Sequence, residues 1–196
     1  TSGELRKSLS SETKWLILNS PSNPTGAVYT KTELLELINV LKQFPNLKIL
    51  SDDIYEHLVY DKGKFSNVVQ ACPEFKNRTL IVNGVSKAYS MTGWRIGYGA
   101  GPSSLISAMT AIQSQSTSNA CSISQEAAIE ALLGPQDYIS KNKRTFEQRR
   151  NLLVECLDKS KRLKLYKPAG AFYLMPLITD LIGRKTKEGV IISSDK

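Results

Sequence analysis

Three short apolar segments, each followed directly by a polar loop, constrain the fold of this chain more than any other feature. They span residues 14–18, 47–50 and 79–82. Their length and bounding turn residues predict buried β-strands. Between the first two, Thr30 and Glu33 form a capping-box pattern that predicts the start of a helix, which Pro45 ends. Strand, helix and strand in this order are typical of a mostly parallel sheet with helices on its faces.

The second half of the chain is predicted to be mainly helical. Apolar residues recur at helical spacing in three segments, residues 103–114, 122–133 and 135–159. A glycine-rich fourth strand is predicted at residues 95–100, before these helices. After the last helix, residues 163–166 and 171–175 alternate enough between apolar and polar side chains to be strands. Strands that follow a long helix indicate that the chain has left the first sheet for a second domain.

Composition places the chain among ordinary globular proteins. Of its 196 residues, 41% are apolar and 22% are charged, which excludes a disordered tail and a disulfide-dense secreted module. No apolar run approaches the ~20 residues of a membrane span. Residues 1–7 contain neither a signal peptide nor an initiator Met. We therefore expect a soluble, cytoplasmic chain that is a piece of a longer protein. Three widely spaced cysteines and a single histidine, His57, predict no metal site.

The net charge of +8 raises the question of a nucleic-acid partner. Residues 141–167 hold ten Lys and Arg against three Asp and Glu, so most of the excess lies there. Apolar residues such as Phe146, Leu153 and Leu157 interleave with the charges at helical spacing. This pattern favours a helix with a buried stripe and a solvated basic face. A basic module that binds nucleic acid or another anionic surface stays open as the alternative.

Unusual polar residues follow the ends of the three predicted strands. They are Asn23, Asp52, Tyr55, Ser86 and Lys87. In open α/β sheets, ligands bind outside the carboxyl ends of the strands, so these side chains are candidates for a site. Taken singly, Asp52 could cap a helix and Lys87 could be a surface lysine. Ser86 and Lys87 would also suit a Ser–Lys hydrolase, although two adjacent residues are a weak signal.

Three longer strings resemble the class I pyridoxal-phosphate aminotransferases. Residues 84–97 (GVSKAYSMTGWRIG) resemble the lysine-attachment signature, in which a small residue precedes the lysine and an arginine follows eight positions later. Residues 20–26 (SPSNPTG) and 51–57 (SDDIYEH) resemble two further blocks, in the family's order and near its spacing. The residues in these strings are most similar to those of the bacterial-type aspartate aminotransferase branch. Asp53 departs from the pattern, since the family commonly has Glu there.

The resemblance implies a role for each matching residue. Lys87 would carry pyridoxal 5'-phosphate as a Schiff base and move the substrate proton. Asp52 would pair with the pyridine nitrogen, and Tyr55 with Asn23 would hydrogen-bond the phenolic oxygen of the ring. Asn23 would also approach the substrate carboxylate. The phosphate would be held by two further residues, Ser86 and Arg95.

The resemblance also implies a fold and an activity. The fold is an α/β three-layer sandwich with a mostly parallel sheet. Residues 1–150 would belong to the cofactor-binding large domain, and residues 151–196 would end a connecting helix and begin a truncated small α/β domain. The activity is transfer of the amino group of aspartate or a related amino acid to 2-oxoglutarate, with prephenate, aromatic or alanine aminotransferases as alternatives. The family's chains are about twice as long and form homodimers, so we expect this fragment alone to be inactive, without a nucleic-acid or membrane partner.

Overall fold

The computed structural model describes residues 1–194, which contain a four-stranded sheet in the order β1-β2-β3-β4. The strands are β1 (Trp15–Asn19), β2 (Lys48–Asp52), β3 (Thr79–Gly84) and β4 (Gly97–Ala100). The first three are parallel, whereas β4 runs antiparallel to β3. All four lie where the sequence predicts strands, and the α/β class with a mostly parallel sheet is confirmed.

The described part of the chain contains six α-helices, which are α1 (Ser2–Ser8), α2 (Lys31–Leu41), α3 (Val68–Ala71), α4 (Ser103–Ser116), α5 (Ser122–Leu133) and α6 (Asp137–Asp158). Helices α4 to α6 agree within two residues with the predicted segments. No residue pattern predicted α1, α3 or the three 3₁₀ turns, which span Pro73–Arg78, Thr92–Trp94 and Thr179–Leu181. Among the helices of residues 1–194, none combines the length and the apolar character required to cross a lipid bilayer.

Helix α2 packs its apolar side against one face of the sheet. The hydroxyl of Thr30 accepts the backbone N–H of Glu33, and the Glu33 carboxylate accepts the N–H of Thr30, so the predicted capping box is present. The main core cluster joins this helix to the first two strands through Leu18, Leu34, Leu37, Ile38, Leu41 and Ile49. Burial of these side chains holds α2 across β1 and β2 and supports the strand ends where the site lies.

The opposite face of β1 remains open in residues 1–194. Successive side chains of a strand point to opposite faces, so Trp15 and Ile17 face away from the cluster that contains Leu18. Ile17 is 68% exposed. A second small cluster joins the loops beside β3 to α5, where Val85 and Ile96 pack with Ala128.

The strands predicted at residues 163–166 and 171–175 are wrong. The first segment contributes one isolated bridge, at Lys164, and the second contributes none. A strand needs a run of paired residues along its length, whereas the backbone N–H of Ala171 donates to the carbonyl of Leu58 in a contact between loops, at 2.9 Å. In the second segment, Ala171 and Tyr173 instead pack on Tyr55 and Leu58 of the loop after β2.

Residues 167–171, which we call the clamp segment, are fixed to two loops of the first sheet. The carbonyl of Gly26 accepts the N–H groups of Ala169 and Gly170 at 3.0 and 2.9 Å. The N–H of Tyr60 donates to the carbonyl of Ala169 at 2.8 Å. These backbone bonds bring the chain that follows α6 back to the loops after β1 and β2.

Candidate active site

The carboxyl ends of β1 and β2 are joined by one amide side chain. The register pairs Asn19 with Asp52. The Asn19 side chain donates to the backbone carbonyl of Asp52 at 3.2 Å, and its oxygen accepts the N–H of Asn23 at 2.8 Å. The carboxylate of Asp52 accepts the N–H of Ile54 at 3.3 Å. Asn19 thus links the two predicted residues Asn23 and Asp52, a role that only its place at a strand end could have indicated.

Tyr55 lies in the turn that begins at Asp52, and its ring is buried. Its hydroxyl is 2.5 Å from the hydroxyl of Tyr173. Burial raises the pKa of Tyr55 well above its ordinary value, and the hydrogen bond with Tyr173 acts in the same direction. The ring of Phe172 meets the Tyr55 ring edge to face, with the centroids 5.4 Å apart. Two residues from beyond α6, Phe172 and Tyr173, therefore contact this site, although no motif in the sequence indicated them.

Lys87 follows β3 and its side chain is partly buried. Its Nζ atom lies 5.9 Å from the centroid of the Phe172 ring, within the range of a cation–π contact. Since the same ring contacts Tyr55, Phe172 lies against both predicted residues. Phe172 therefore connects Lys87 to the turn that contains Asp52 and Tyr55.

Ser86 and Arg95 are linked through Thr92. The hydroxyl of Thr92 donates to the carbonyl of Ser86 at 3.1 Å, and Nη1 of Arg95 donates to the carbonyl of Thr92 at 2.8 Å. Arg95 has a φ of +56°, a left-handed conformation that is uncommon outside glycine, and the residue is exposed. It borders a cavity of about 780 Å³ that is also lined by Cys121 and Ser124. This arrangement places the arginine within the turn that follows Lys87.

Asp53 is a buried carboxylic acid that the residue pattern did not mark as part of the site. Its two oxygens accept hydrogen bonds from the Ser51 hydroxyl and the Asn67 side-chain amide, each at 2.7 Å. Its N–H donates to the carbonyl of Val82 in β3 at 2.9 Å. Burial raises the pKa of Asp53 to about 6, against the two hydrogen bonds that favour the charged form. Through its bonds to Ser51, Asn67 and Val82, Asp53 therefore holds the turn between Asp52 and Tyr55 in place.

The predicted site residues form one continuous series of neighbours at the carboxyl ends of β1 to β3. Asn23 reaches Asp52 through Asn19, and Phe172 and Thr92 connect the remaining four. Among residues 1–194, the charged groups of Asp52, Lys87 and Arg95 enter no ion pair. The arrangement can therefore receive a ligand that carries both an anionic and a cationic group, beside a primary amine that can act as a nucleophile.

An α/β sheet with a partly buried lysine and a carboxylate that enters no ion pair among residues 1–194, at neighbouring strand ends, defines the class: an enzyme domain with its ligand site at the carboxyl edge of the sheet. The family model described as "Aminotransferase class I and II" matches residues 2–192. That match includes almost the whole chain and all of the residues that build the site. The chain belongs to the class I and II aminotransferase family, within the fold of the pyridoxal-phosphate transferases.

Individual relatives agree with this family. The "Probable aspartate/prephenate aminotransferase" of Rickettsia felis is 55% identical over 190 residues, which cover 97% of this chain and 46% of the relative. The "Aspartate/prephenate aminotransferase" of Cereibacter sphaeroides is 52% identical over 196 residues, covering 100% of this chain and 49% of the relative. The crystal structure of the aspartate aminotransferase from Rhizobium meliloti superposes with a TM-score of 0.95 at 46% identity, with 100% and 49% coverage. The chain spans about half the length of the curated relatives it matches.

Proposed function

We propose that this chain is part of a longer pyridoxal-phosphate-dependent aminotransferase that transfers the amino group of aspartate or a related amino acid to 2-oxoglutarate. The observation that carries the proposal is the placement of Lys87 and Tyr55 against the same Phe172 ring, with Asp52 in the same turn as Tyr55. The names of the relatives support aspartate as the amino donor.

The charges at the site suit pyridoxal 5'-phosphate. The cofactor carries a phosphate dianion, an aldehyde and a ring nitrogen that becomes a cation when protonated. Arg95 and the hydroxyl of Ser86 would hold the phosphate, and the amine of Lys87 would bind the aldehyde carbon. The unpaired carboxylate of Asp52 would accept a hydrogen bond from the protonated ring nitrogen. Each charged part of the cofactor thus has a partner of opposite charge that is without an ion pair among residues 1–194.

The protein residues would divide the work of proton transfer and positioning. When bound, pyridoxal phosphate supplies an electron sink for the charge left on the substrate's α-carbon. The Nζ atom of Lys87, released by the substrate amine, would take up the proton from that carbon. Tyr55 and Asn23 would hydrogen-bond the phenolic oxygen and stabilise its anion. Asn23 would also hydrogen-bond the substrate carboxylate, which orients the α-carbon towards Lys87.

Prephenate is a second candidate for the amino acceptor, because of the names of two relatives. The relatives from Rickettsia felis and Cereibacter sphaeroides are named aspartate/prephenate aminotransferases. Aromatic and alanine aminotransferase activities within the same fold remain weaker alternatives. The alternative of a basic nucleic-acid or anion-binding module is less supported, because one arginine of the basic segment, Arg150, is buried and paired with Asp61 instead of facing a partner.

The proposal extends to location and assembly. We infer a cytoplasmic homodimer that acts on a free amino acid and a 2-oxo acid, in which the 196 residues alone would be inactive. The three cysteines are free thiols, which agrees with a reducing compartment. Light scattering of the full-length protein that contains this chain would test the dimer, and a monomer mass would contradict it.

Intact mass after treatment with pyridoxal phosphate and borohydride tests the cofactor site. Borohydride makes the link between lysine and cofactor permanent. In the full-length protein we expect one adduct, its loss in Lys87→Ala, and its retention in the control Lys141→Ala, which changes an exposed lysine of α6. Adducts spread over many lysines and unchanged by Lys87→Ala would contradict the proposal.

Amino transfer then tests the substrates. Aspartate, phenylalanine and alanine are supplied as donors, each with 2-oxoglutarate or prephenate as the acceptor. We expect the highest kcat/KM with aspartate and 2-oxoglutarate. A preference for phenylalanine or alanine of tenfold or more, roughly 1.4 kcal/mol, would favour the aromatic or alanine alternatives.

A further inference from the structure

A contact between the hydroxyls of Tyr55 and Tyr173 joins the loop after β2 to the segment that follows α6. These atoms are 2.5 Å apart, although the residues are separated by 118 positions in the chain. The two rings meet edge to face, with centroids 5.7 Å apart. A tyrosine hydroxyl has one proton to donate and can also accept, so one of the pair donates while the other keeps its own proton for a further partner.

The position of Tyr173 is fixed by the backbone that precedes it. Ala171 is fully buried and has a φ of +55°, which a non-glycine residue keeps only where its surroundings hold it. Its N–H donates to the carbonyl of Leu58, and its own carbonyl accepts the hydroxyl of Tyr60. The next side chain, Phe172, stacks on Phe146 of α6 with the centroids 5.3 Å apart. The Tyr173 hydroxyl therefore reaches Tyr55 from a rigid support.

We propose that Tyr173 is a positioning residue that orients the Tyr55 hydroxyl towards the cofactor, an inference that rests on the proposed function. Tyr173 donates its proton to the oxygen of Tyr55. The proton of Tyr55 is then directed to the phenolic oxygen of the cofactor. A hydroxyl that accepts one hydrogen bond becomes a stronger donor in another, so the pair stabilises the phenolic anion better than Tyr55 alone.

Tyr173→Phe removes the donor and keeps the ring. The test uses the full-length protein loaded with pyridoxal phosphate and measures the pH midpoint of the visible absorbance change of the lysine-bound cofactor. We expect this midpoint to rise by about half a pH unit, and the Kd for pyridoxal phosphate to rise about three- to tenfold, the effect of one lost hydrogen bond. Tyr166→Phe is the matched control, because Tyr166 is 80% exposed, and it should change neither value.

A double-variant cycle separates positioning from a general effect on folding. In a Tyr55→Phe background, Tyr173→Phe should produce no further shift of the midpoint, because its effect passes through the Tyr55 hydroxyl. An equal shift in both backgrounds would overturn the inference, as would an unchanged midpoint and Kd in Tyr173→Phe. Borohydride should still fix the cofactor on Lys87 in Tyr173→Phe. If borohydride fixes no cofactor on Lys87 in the wild-type protein, the proposed function fails together with this inference. If the adduct forms but Tyr173→Phe leaves the midpoint and the Kd unchanged, only this inference fails.

Discussion

The guanidinium of Arg150, within α6, binds both carboxylate oxygens of Asp61, at 2.7 and 2.8 Å. Its side chain is only 4% exposed, and Nη1 also donates to the carbonyl of Pro168 at 2.8 Å. One buried cation therefore holds together helix α6, the loop after β2 and the clamp segment. A paired contact of this kind fixes orientation as well as distance. The same clamp segment leads directly into Phe172 and Tyr173 of the site.

Asp61→Asn should weaken this connection measurably. The Asp61 carboxylate is half exposed, so solvent screening limits the effect, and we expect the free energy of unfolding to fall by about 1 kcal/mol at neutral pH. The hydrogen bond from Arg150 is the main reason why the pKa of Asp61 lies below its ordinary value of 3.8. The stabilisation is therefore present above that ordinary value and is lost as the pH falls through the lower folded-state pKa. Urea unfolding of the wild-type protein and Asp61→Asn, at neutral and at acid pH, measures the loss of stability and its dependence on pH.

Glu155→Gln provides the control for Asp61→Asn. Glu155 pairs with Lys159 on the surface of the same helix, and both side chains are exposed. Such a pair contributes at most about 0.5 kcal/mol. Equal losses of stability in Asp61→Asn and Glu155→Gln would show that the Arg150 contact has no special role.

Gly26→Ala should detach the clamp segment. Gly26 has a φ of +66°, and a Cβ atom there would lie 2.3 Å from the Cβ of Pro168 and 2.8 Å from the carbonyl oxygen of Gly170. We expect a loss of about 2 kcal/mol or more in the free energy of unfolding. Hydrogen exchange at the amides of Ala169 and Gly170 should become faster. Gly93→Ala is the control, since a Cβ atom at Gly93 would enter open space. Hydrogen exchange at Ala169 and Gly170 that stays as slow in Gly26→Ala as in the wild-type protein would contradict the prediction.

Leu41→Ala should destabilise the core beneath the sheet. Leu41 is fully buried between α2 and the first strands, and removal of a buried leucine side chain costs about 2 to 5 kcal/mol, including the cavity that it leaves. Leu133→Ala removes the same atoms from a side chain that is 82% exposed. Its expected effect is within about 0.5 kcal/mol. Similar denaturation midpoints for the two variants would refute this assignment of the core.

Local signals explain why much of the fold could be predicted. The first three strands are short apolar runs that end at turn residues, and the capping box of Thr30 and Glu33 lies within four positions. The strands predicted at 163–166 and 171–175 failed because alternation alone does not supply a neighbouring strand, and pairing is a property of distant parts of the chain.

The candidate site was predicted in part for the same reason. Asp52 ends β2 and Lys87 follows β3, two strands that the sequence predicts, and the carboxyl ends of parallel strands lie together. Tyr173 could not be assigned in this way, because its approach to Tyr55 depends on how the chain returns after α6. The partners of Asp53 are likewise hidden, since Asn67 lies 14 positions further along in an irregular segment.

The contribution of Asp53 to the free energy of unfolding depends on pH. A carboxylic acid with a folded-state pKa of about 6, raised from 3.8 chiefly by burial, binds its proton more tightly in the folded protein than in the unfolded one. Its contribution to stability is therefore complete below about pH 4 and is lost as the pH rises through about 6. Integrated over that shift, the loss is about 2 to 3 kcal/mol.

Asp53→Asn should remove this loss, since an amide does not ionise. Subtracting the unfolding free energies of the variant from those of the wild-type protein, measured in urea between pH 4 and pH 7, isolates the effect of Asp53 from that of other acids. We expect this difference in the free energy of unfolding, wild type minus variant, to fall as the pH rises. The changed hydrogen bond between residue 53 and Asn67 adds a contribution that is the same at every pH. Ser51→Ala removes a donor that favours the ionised form, so the decline should move to higher pH. A difference that stays constant across this range would contradict the burial of an acid at this position.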